Sequence, residues 1–130
     1  MSGIFVFKPF RRPRLWLALW LVAVTTVVVL SLVNLSGLPP VPEGGDKVEH
    51  FLAYALLSAS AVQLFAKRRA CLLIALLLVA LGIGLEFAQG MLTSTRMADP
   101  RDAVANTLGV LAGLATMITP LRDLLLRLRG

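Results

Sequence analysis

Three polar side chains interrupt apolar segments of this chain, and their types are the ones that could do chemistry. His50 can donate, accept or move a proton, Glu86 can carry a negative charge, and Asn106 can donate and accept hydrogen bonds. A carboxylate near an imidazole is an arrangement used for proton transfer, and the same groups also bind polar ligands. These three residues are therefore the first candidates for a functional site.

The three residues share one depth along their segments. His50, Glu86 and Asn106 each lie 16 or 17 residues from the basic residue that bounds the far end of the same apolar segment. In a helix this separation is about 24–26 Å, so we expect all three in one slab near the edge of a bilayer. A second polar layer lies three or four residues further out on the same helix faces, at Asp46, Gln89 and Asp102.

Helix capping is the alternative interpretation of the acidic residues. Asp46 and Glu49 have the spacing of a capping box, and Asp102 falls in the first turn of a segment that opens with Asp99 and Pro100. Capping does not exclude a role in a site, and it leaves His50, Glu86 and Asn106 unexplained because they lie inside the segments. Tyr54, one turn from His50, fits packing better than chemistry.

The composition indicates that these residues belong to a membrane protein. The chain has 130 residues, 58% hydrophobic and only 15% charged, with a mean hydropathy of +0.83. A typical soluble domain is about half apolar and a quarter charged, so an ordinary cytosolic enzyme or a disordered chain is excluded. The single cysteine excludes an intrachain disulfide and a cysteine-based metal site.

Four apolar segments predict the elements that position the polar residues. The predicted spans are residues 15–35, 47–66, 70–91 and 103–121, in a single membrane domain of residues 1–130. The second span has few uninterrupted apolar residues and must include the polar residues that precede Phe51. Residues 121–130 mix leucine with arginine and predict an amphipathic tail on the bilayer surface. The expected fold class is all-α, an integral membrane four-helix bundle.

Charge asymmetry predicts the orientation of the chain. Of the 13 lysines and arginines, ten lie in the two terminal segments and the connection between the second and third spans, whereas Lys47, Arg96 and Arg101 lie on the other side. The positive-inside rule then places both termini in the cytoplasm, and we expect the bacterial inner membrane. Because topology accounts for the basic residues, no nucleic-acid partner is expected. Close helix packing is the expected role of Gly82, Gly109 and Gly113.

Taken together, the motifs of residues 46–113 resemble those of the VanZ-like family of small bacterial membrane proteins. They are DKVEH at Asp46–His50, ExxQ at Glu86–Gln89 and RxxDxxDxxxNxxGxxxG at Arg96–Gly113. The resemblance implies four spans and a set of characteristic polar positions, accompanied by Gly109 and Gly113. Thr95 stands where many members have glycine, which alters the loop that aims Arg96. The implied polar positions are Asp46, Lys47, His50, Glu86, Gln89, Arg96, Asp102 and Asn106.

Several functions fit this pattern. The namesake of the family is associated with low-level teicoplanin resistance, which implies a role at the outer membrane face, near lipids or lipid-linked envelope precursors. The favoured hypothesis is a pocket that binds such a head group, with Lys47 and Arg96 supplying positive charge.

The first alternative is an intramembrane enzyme using His50 and Glu86 as acid and base, or His50 with Asp46 and Asp102 as metal ligands. A small proton-coupled transporter and a purely structural role are further alternatives. No metal signature such as HExxH is present, and no cofactor or metal is predicted.

Overall fold

The computed structural model describes residues 3–32, 45–92 and 100–130, and within them the regular structure is helical apart from an antiparallel bridge between Phe7 and Phe65. Two short 3-10 turns, Thr116–Ile118 and Pro120–Asp123, separate the last two helices. The α-helices are α1 (Pro13–Leu32), α2 (Gly45–Leu64), α3 (Arg68–Leu92), α4 (Pro100–Ala115) and α5 (Leu124–Arg129).

The predicted all-α class is confirmed over the described residues, and two of the helices fit the predicted membrane location. Among the described helices, α1 and α3 are long and apolar enough to cross a membrane, and a third span arises if residues 100–129 count as one span bent by 83°. Large apolar side chains remain exposed on these helices, for example Val22, Leu76 and Phe87. Such extensive apolar surface is unusual for a soluble monomer and fits contact with lipid.

The last predicted span is interrupted before its expected end at residue 121. The α-helix stops at Ala115, and a 3-10 turn leads to Thr119, which has extended backbone angles. Pro120 explains the break because proline disfavours helical geometry in the residue before it and lacks an N–H to donate. The Thr119 hydroxyl accepts a hydrogen bond from the N–H of Leu121 and starts the next turn. The basic tail therefore leaves the direction of α4.

The helices α2 and α4 run in the same direction and form the closest pair. A Cβ atom added at Gly113 would lie 2.7 Å from the backbone nitrogen of Ala59, nearer than real Cβ atoms come, and Gly109 is just as tightly placed against Phe51 and Ala55. The Ser58 hydroxyl donates to the carbonyl of Val110 at 2.8 Å across the same interface. Small residues on both helices thus allow backbone contact, as in small-xxx-small membrane pairs.

The remaining long helices run in the opposite direction and contribute unequally. Helix α3 packs against both α2 and α4 and buries Ile74, Ala75 and Leu78 in the core. Helix α1 has no buried residue, and its link to α2 includes a 2.9 Å hydrogen bond from the indole of Trp20 to the carbonyl of Leu57. The polar residues are therefore positioned by α2, α3 and α4.

Three basic segments meet at one end of the molecule, which we call the basic end. The N-terminal segment pairs with the end of α2, where the Lys8 N–H donates to Leu64 at 2.9 Å. Gln63 joins the tail, donating to the carbonyl of Leu121 at 2.7 Å and accepting from the N–H of Leu125 at 2.9 Å. The N-terminal segment, the α2–α3 turn and the tail thus form one connected surface.

Candidate functional site

Four of the predicted site residues meet at the end opposite the basic end. Lys47 and His50 come from α2, and Asp102 and Asn106 from α4; we call these four residues the polar cluster. Lys47 Nζ lies 2.8 Å from Asp102 Oδ1, which is an ion-pair distance. The angle between the two groups does not meet the geometry of a hydrogen bond. His50 Nδ1 lies 3.0 Å from Asn106 Oδ1, and His50 Nε2 lies 3.9 Å from Asp102 Oδ2.

Helical spacing and close packing explain why these side chains meet. Lys47 and His50 are three residues apart on α2, and Asp102 and Asn106 are four apart on α4, so each pair shares a helix face. Because α2 and α4 run in the same direction, the two faces meet at the same level. The contact of Gly109 with α2, one turn below Asn106, holds the helices close enough for direct side-chain bonds.

Burial divides the cluster into a floor and a rim. Asn106 is 3% and Asp102 7% exposed, whereas the side chains of His50 and Lys47 are 17% and 30% exposed. Burial of a carboxylate is costly unless a cation or hydrogen-bond donors accompany it, and Lys47 supplies the cation. The exposed parts of Lys47 and His50 leave the cluster accessible from outside the bundle.

The contact with Asn106 favours one tautomer of the neutral imidazole. With Asn106 Oδ1 as the acceptor, the neutral ring of His50 carries its proton on Nδ1, so Nε2 bears a lone pair. The 3.9 Å distance between His50 Nε2 and Asp102 Oδ2 is longer than a hydrogen bond. In this tautomer, Nε2 and the carboxylate are therefore two neighbouring hydrogen-bond acceptors. Such a pair can accept hydrogen bonds from hydroxyl or ammonium groups of a ligand, and Nε2 can also accept a proton.

Helix α3 supplies the third side of this region. Glu86 is buried, with 6% exposure, and lies within electrostatic range of the buried Tyr54 hydroxyl. One turn before Glu86, a Cβ at Gly82 would lie 3.1 Å from both Cβ and Nδ2 of Asn106, so the absence of a side chain there lets α3 approach the cluster. Glu86 is therefore near Tyr54, one turn from His50 on α2, and α3 packs directly on Asn106 at Gly82.

The remaining predicted site residues are only partly covered by the structure. Asp46 belongs to α2 and Gln89 to α3, but their side chains lie outside the described part of the chain, as does the whole of Arg96. Within the described residues, no group of three or more His, Cys, Asp and Glu side chains is placed to hold a metal ion. The described site is thus one of hydrogen bonds and ion pairs.

Two contacts of this region were not predicted. Tyr54, assigned to packing from the sequence, is 2% exposed as that assignment expects, but its position against Gly82 and within electrostatic range of Glu86 was not foreseen. Its spacing of four from His50 and its status as the only tyrosine were the available signals. Ala55 on the same helix packs against Gly109. Nothing in the sequence distinguishes this alanine from the others in an apolar helix, so the contact could not have been predicted.

No protein-family model, curated protein or solved structure matches this chain. The resemblance to the VanZ-like family therefore rests on motif order and spacing over residues 46–113. Four of its polar positions are those that meet in the polar cluster. Functional conclusions must come from the chemistry of that cluster.

Proposed function

We propose that this chain is a four-span, VanZ-like membrane protein whose polar cluster binds the head group of a lipid or of a lipid-linked cell-envelope precursor in the outer leaflet. The observation that carries this proposal is the meeting of Lys47, His50, Asp102 and Asn106 at one end of an otherwise apolar bundle. Polar residues placed inside spanning helices are costly, and such groups usually serve a binding site or a pathway.

The chemistry of the cluster favours a ligand with both negative charge and hydrogen-bond donors. The accessible Lys47 ammonium attracts a phosphate or carboxylate, while Nε2 of His50 and the Asp102 carboxylate accept hydrogen bonds. Phosphorylated sugar and glycerol head groups present this combination. Their apolar tails match the exposed leucine and valine side chains of the neighbouring helix surfaces, such as Val48 and Leu52.

The topology belongs to the same proposal. Both termini and the basic end face the cytoplasm of a bacterium, and the polar cluster faces the outer leaflet of the inner membrane. The ten-to-three division of basic residues supports this orientation. Binding of an envelope precursor at this face provides a route by which the protein affects susceptibility to teicoplanin-type glycopeptides.

The test is binding of undecaprenyl phosphate to the purified full-length protein in detergent. Lys47→Gln removes the accessible cation and should weaken binding about tenfold or more, because hydrogen bonds to charged groups contribute about 1.5–3 kcal/mol. Arg101→Gln is the matched control, since it removes the same charge from an exposed position at the same end. Equal affinity of the parent and Lys47→Gln, with both folded, contradicts the proposal.

The orientation of His50 supports an acid–base enzyme as the second candidate function. The ring is held through Nδ1 and presents Nε2 as a base beside Asp102. In this case the lipid probe would be converted to a product, detectable by mass spectrometry. His50→Gln would then abolish turnover while retaining binding, whereas a pure binding site yields no product with either protein.

A further inference from the structure

A second cavity, separate from the polar cluster, lies at the basic end. Its volume is about 310 Å³, at the lower end of the roughly 300–1,000 Å³ range of ligand pockets. The floor is apolar and includes Val62, Phe65 and Met117. The rim is charged and consists of Lys8, Lys67, Arg68, Arg122 and Asp123. We call it the basic-end pocket.

The rim has an excess of positive charge that internal pairing does not remove. The one acid, Asp123, is 2.9 Å from Lys8 Nζ and 3.6 Å from Arg122 Nε. The Lys8 side chain is 9% exposed and is held by this pair and by the carbonyl of Arg122. In contrast, the Arg122 side chain is 54% exposed, and Arg68 is exposed at the first turn of α3. These two guanidinium groups are the cations best placed to reach a ligand.

The surroundings of the pocket indicate an amphiphilic ligand. It lies where α2 ends and α3 begins, and Ile118, Leu121 and Leu128 nearby have more than half of their surface exposed. Exposed apolar side chains beside arginines are typical of the bilayer interface. Basic pockets between helix ends at this level bind the head groups of anionic lipids.

We propose that the basic-end pocket binds the phosphate of an anionic phospholipid from the adjacent leaflet, with Arg68 and Arg122 contacting the phosphate oxygens. Arginine suits this role because its planar guanidinium donates two parallel hydrogen bonds to one phosphate. The apolar floor receives the part of the lipid that joins the head group to its chains. This site is at the opposite end from the polar cluster and does not depend on the function proposed for that cluster.

The test compares two double variants of the full-length protein that lose the same charge at the same end. Binding of phosphatidylglycerol and phosphatidylcholine is titrated in detergent and measured by mass spectrometry of the intact complexes. Arg68→Gln with Arg122→Gln should weaken phosphatidylglycerol binding about 30-fold, because each cation contributes about a factor of five. Arg14→Gln with Arg129→Gln removes two exposed arginines that do not line the pocket, and should change binding by less than about twofold.

An equal loss of phosphatidylglycerol affinity in the two double variants would mean that the lipid binds through general attraction to the basic surface, and would overturn the proposal. Binding of inorganic phosphate alone as tightly as phosphatidylglycerol would identify a soluble anion as the ligand, which also overturns it. If the pocket double variant does not fold, Arg68→Gln alone should weaken binding about fivefold. Repeating the titration in a Lys47→Gln background removes the cation of the polar cluster, and the pocket double variant should still lose about 30-fold there, so failure here and failure of the proposed function are distinguishable.

Discussion

His50 and Asn106 are separated by 55 residues of sequence, and a single hydrogen bond joins them across two helices. The bond orients the imidazole, while the Lys47–Asp102 pair supplies charge beside it. Gly82 and Gly109 let α3 and α2 lie close to Asn106 and its helix. At the scale of residues, the site therefore depends on glycine as much as on ionisable groups.

Gly82→Ala should displace Asn106 and alter the environment of His50. The added methyl group would lie 3.1 Å from Asn106 Nδ2 and 3.4 Å from Tyr54, so the amide must shift by a few tenths of an ångström. His50 is the only histidine, so ¹⁵N-histidine NMR of the protein in micelles reports its ring nitrogens without overlap. The Nδ1 signal should move in Gly82→Ala.

Gly84→Ala is the control for this experiment, because a Cβ there would have nothing within 4 Å. Its histidine spectrum should match that of the parent. An unchanged Nδ1 signal in Gly82→Ala would show that α3 does not position the imidazole through Asn106.

At the scale of elements, the α2–α4 pair is held by small residues that face each other. Gly113→Ala should lower the free energy of unfolding by about 1–3 kcal/mol, the usual effect of overpacking, because the new Cβ would meet the backbone of Ala55 and Ala59. The exposed Gly84→Ala should raise it by roughly 0.5–1 kcal/mol through helix propensity. Thermal unfolding in detergent measures both, and equal stability of the two variants would contradict close α2–α4 packing.

The tail is attached to the N-terminal segment by a contact that depends on pH. The hydrogen bond from Lys8, with the charges of Lys8 and Arg122, lowers the pKa of Asp123 below its ordinary value of 3.8. Because the folded pKa is the lower one, this attachment stabilises the tail above about pH 4 and is lost as the pH falls through the lowered pKa. Acidification should therefore loosen the tail, which the hydrogen bonds of Gln63 continue to hold.

Hydrogen exchange of the tail amides, compared between the parent and Asp123→Asn, measures this effect. The parent should be better protected near pH 6, and the difference should shrink as the pH falls below about 4 and vanish once the carboxyl group is protonated. Glu49→Gln, which removes an exposed acid from the opposite end, should match the parent over the same pH range. A difference that persists in acid would assign the protection to something other than the charge of Asp123.

At the scale of the whole molecule, the three basic segments lie at one end and the polar cluster at the other. Under the proposed topology, single cysteines at positions 44 and 93 should react with a membrane-impermeant maleimide added to intact cells. Cysteines at positions 14 and 129 should react only after permeabilisation. The native Cys71 is buried and is replaced by alanine for this experiment. Labelling of position 14 in intact cells would reverse the orientation.

The all-helical membrane fold could be predicted because long apolar runs and basic flanks report directly on spanning helices. The break at Thr119 escaped prediction because the apolar run continues to Leu121, although Pro120 was a visible signal. The depth of His50 and Asn106 follows from counting residues along helices. The contact between Lys8 and Asp123 could not be predicted, because helical periodicity carries no information about partners 115 positions apart in the chain.

The exposure of α1 has a consequence for biogenesis. Its mean hydropathy is 2.4 and it has no buried residue, so once synthesised it can partition into lipid without a partner. Helix α2 differs, because Asp102, which pairs with Lys47 across the helix interface, belongs to α4, more than 50 residues later. Because an ammonium and an imidazole are costly in lipid, we expect α2 to stay at the insertion machinery until Asp102 and Asn106 of α4 have been synthesised. We therefore expect α1 to enter the bilayer by itself and α2 to enter together with α4.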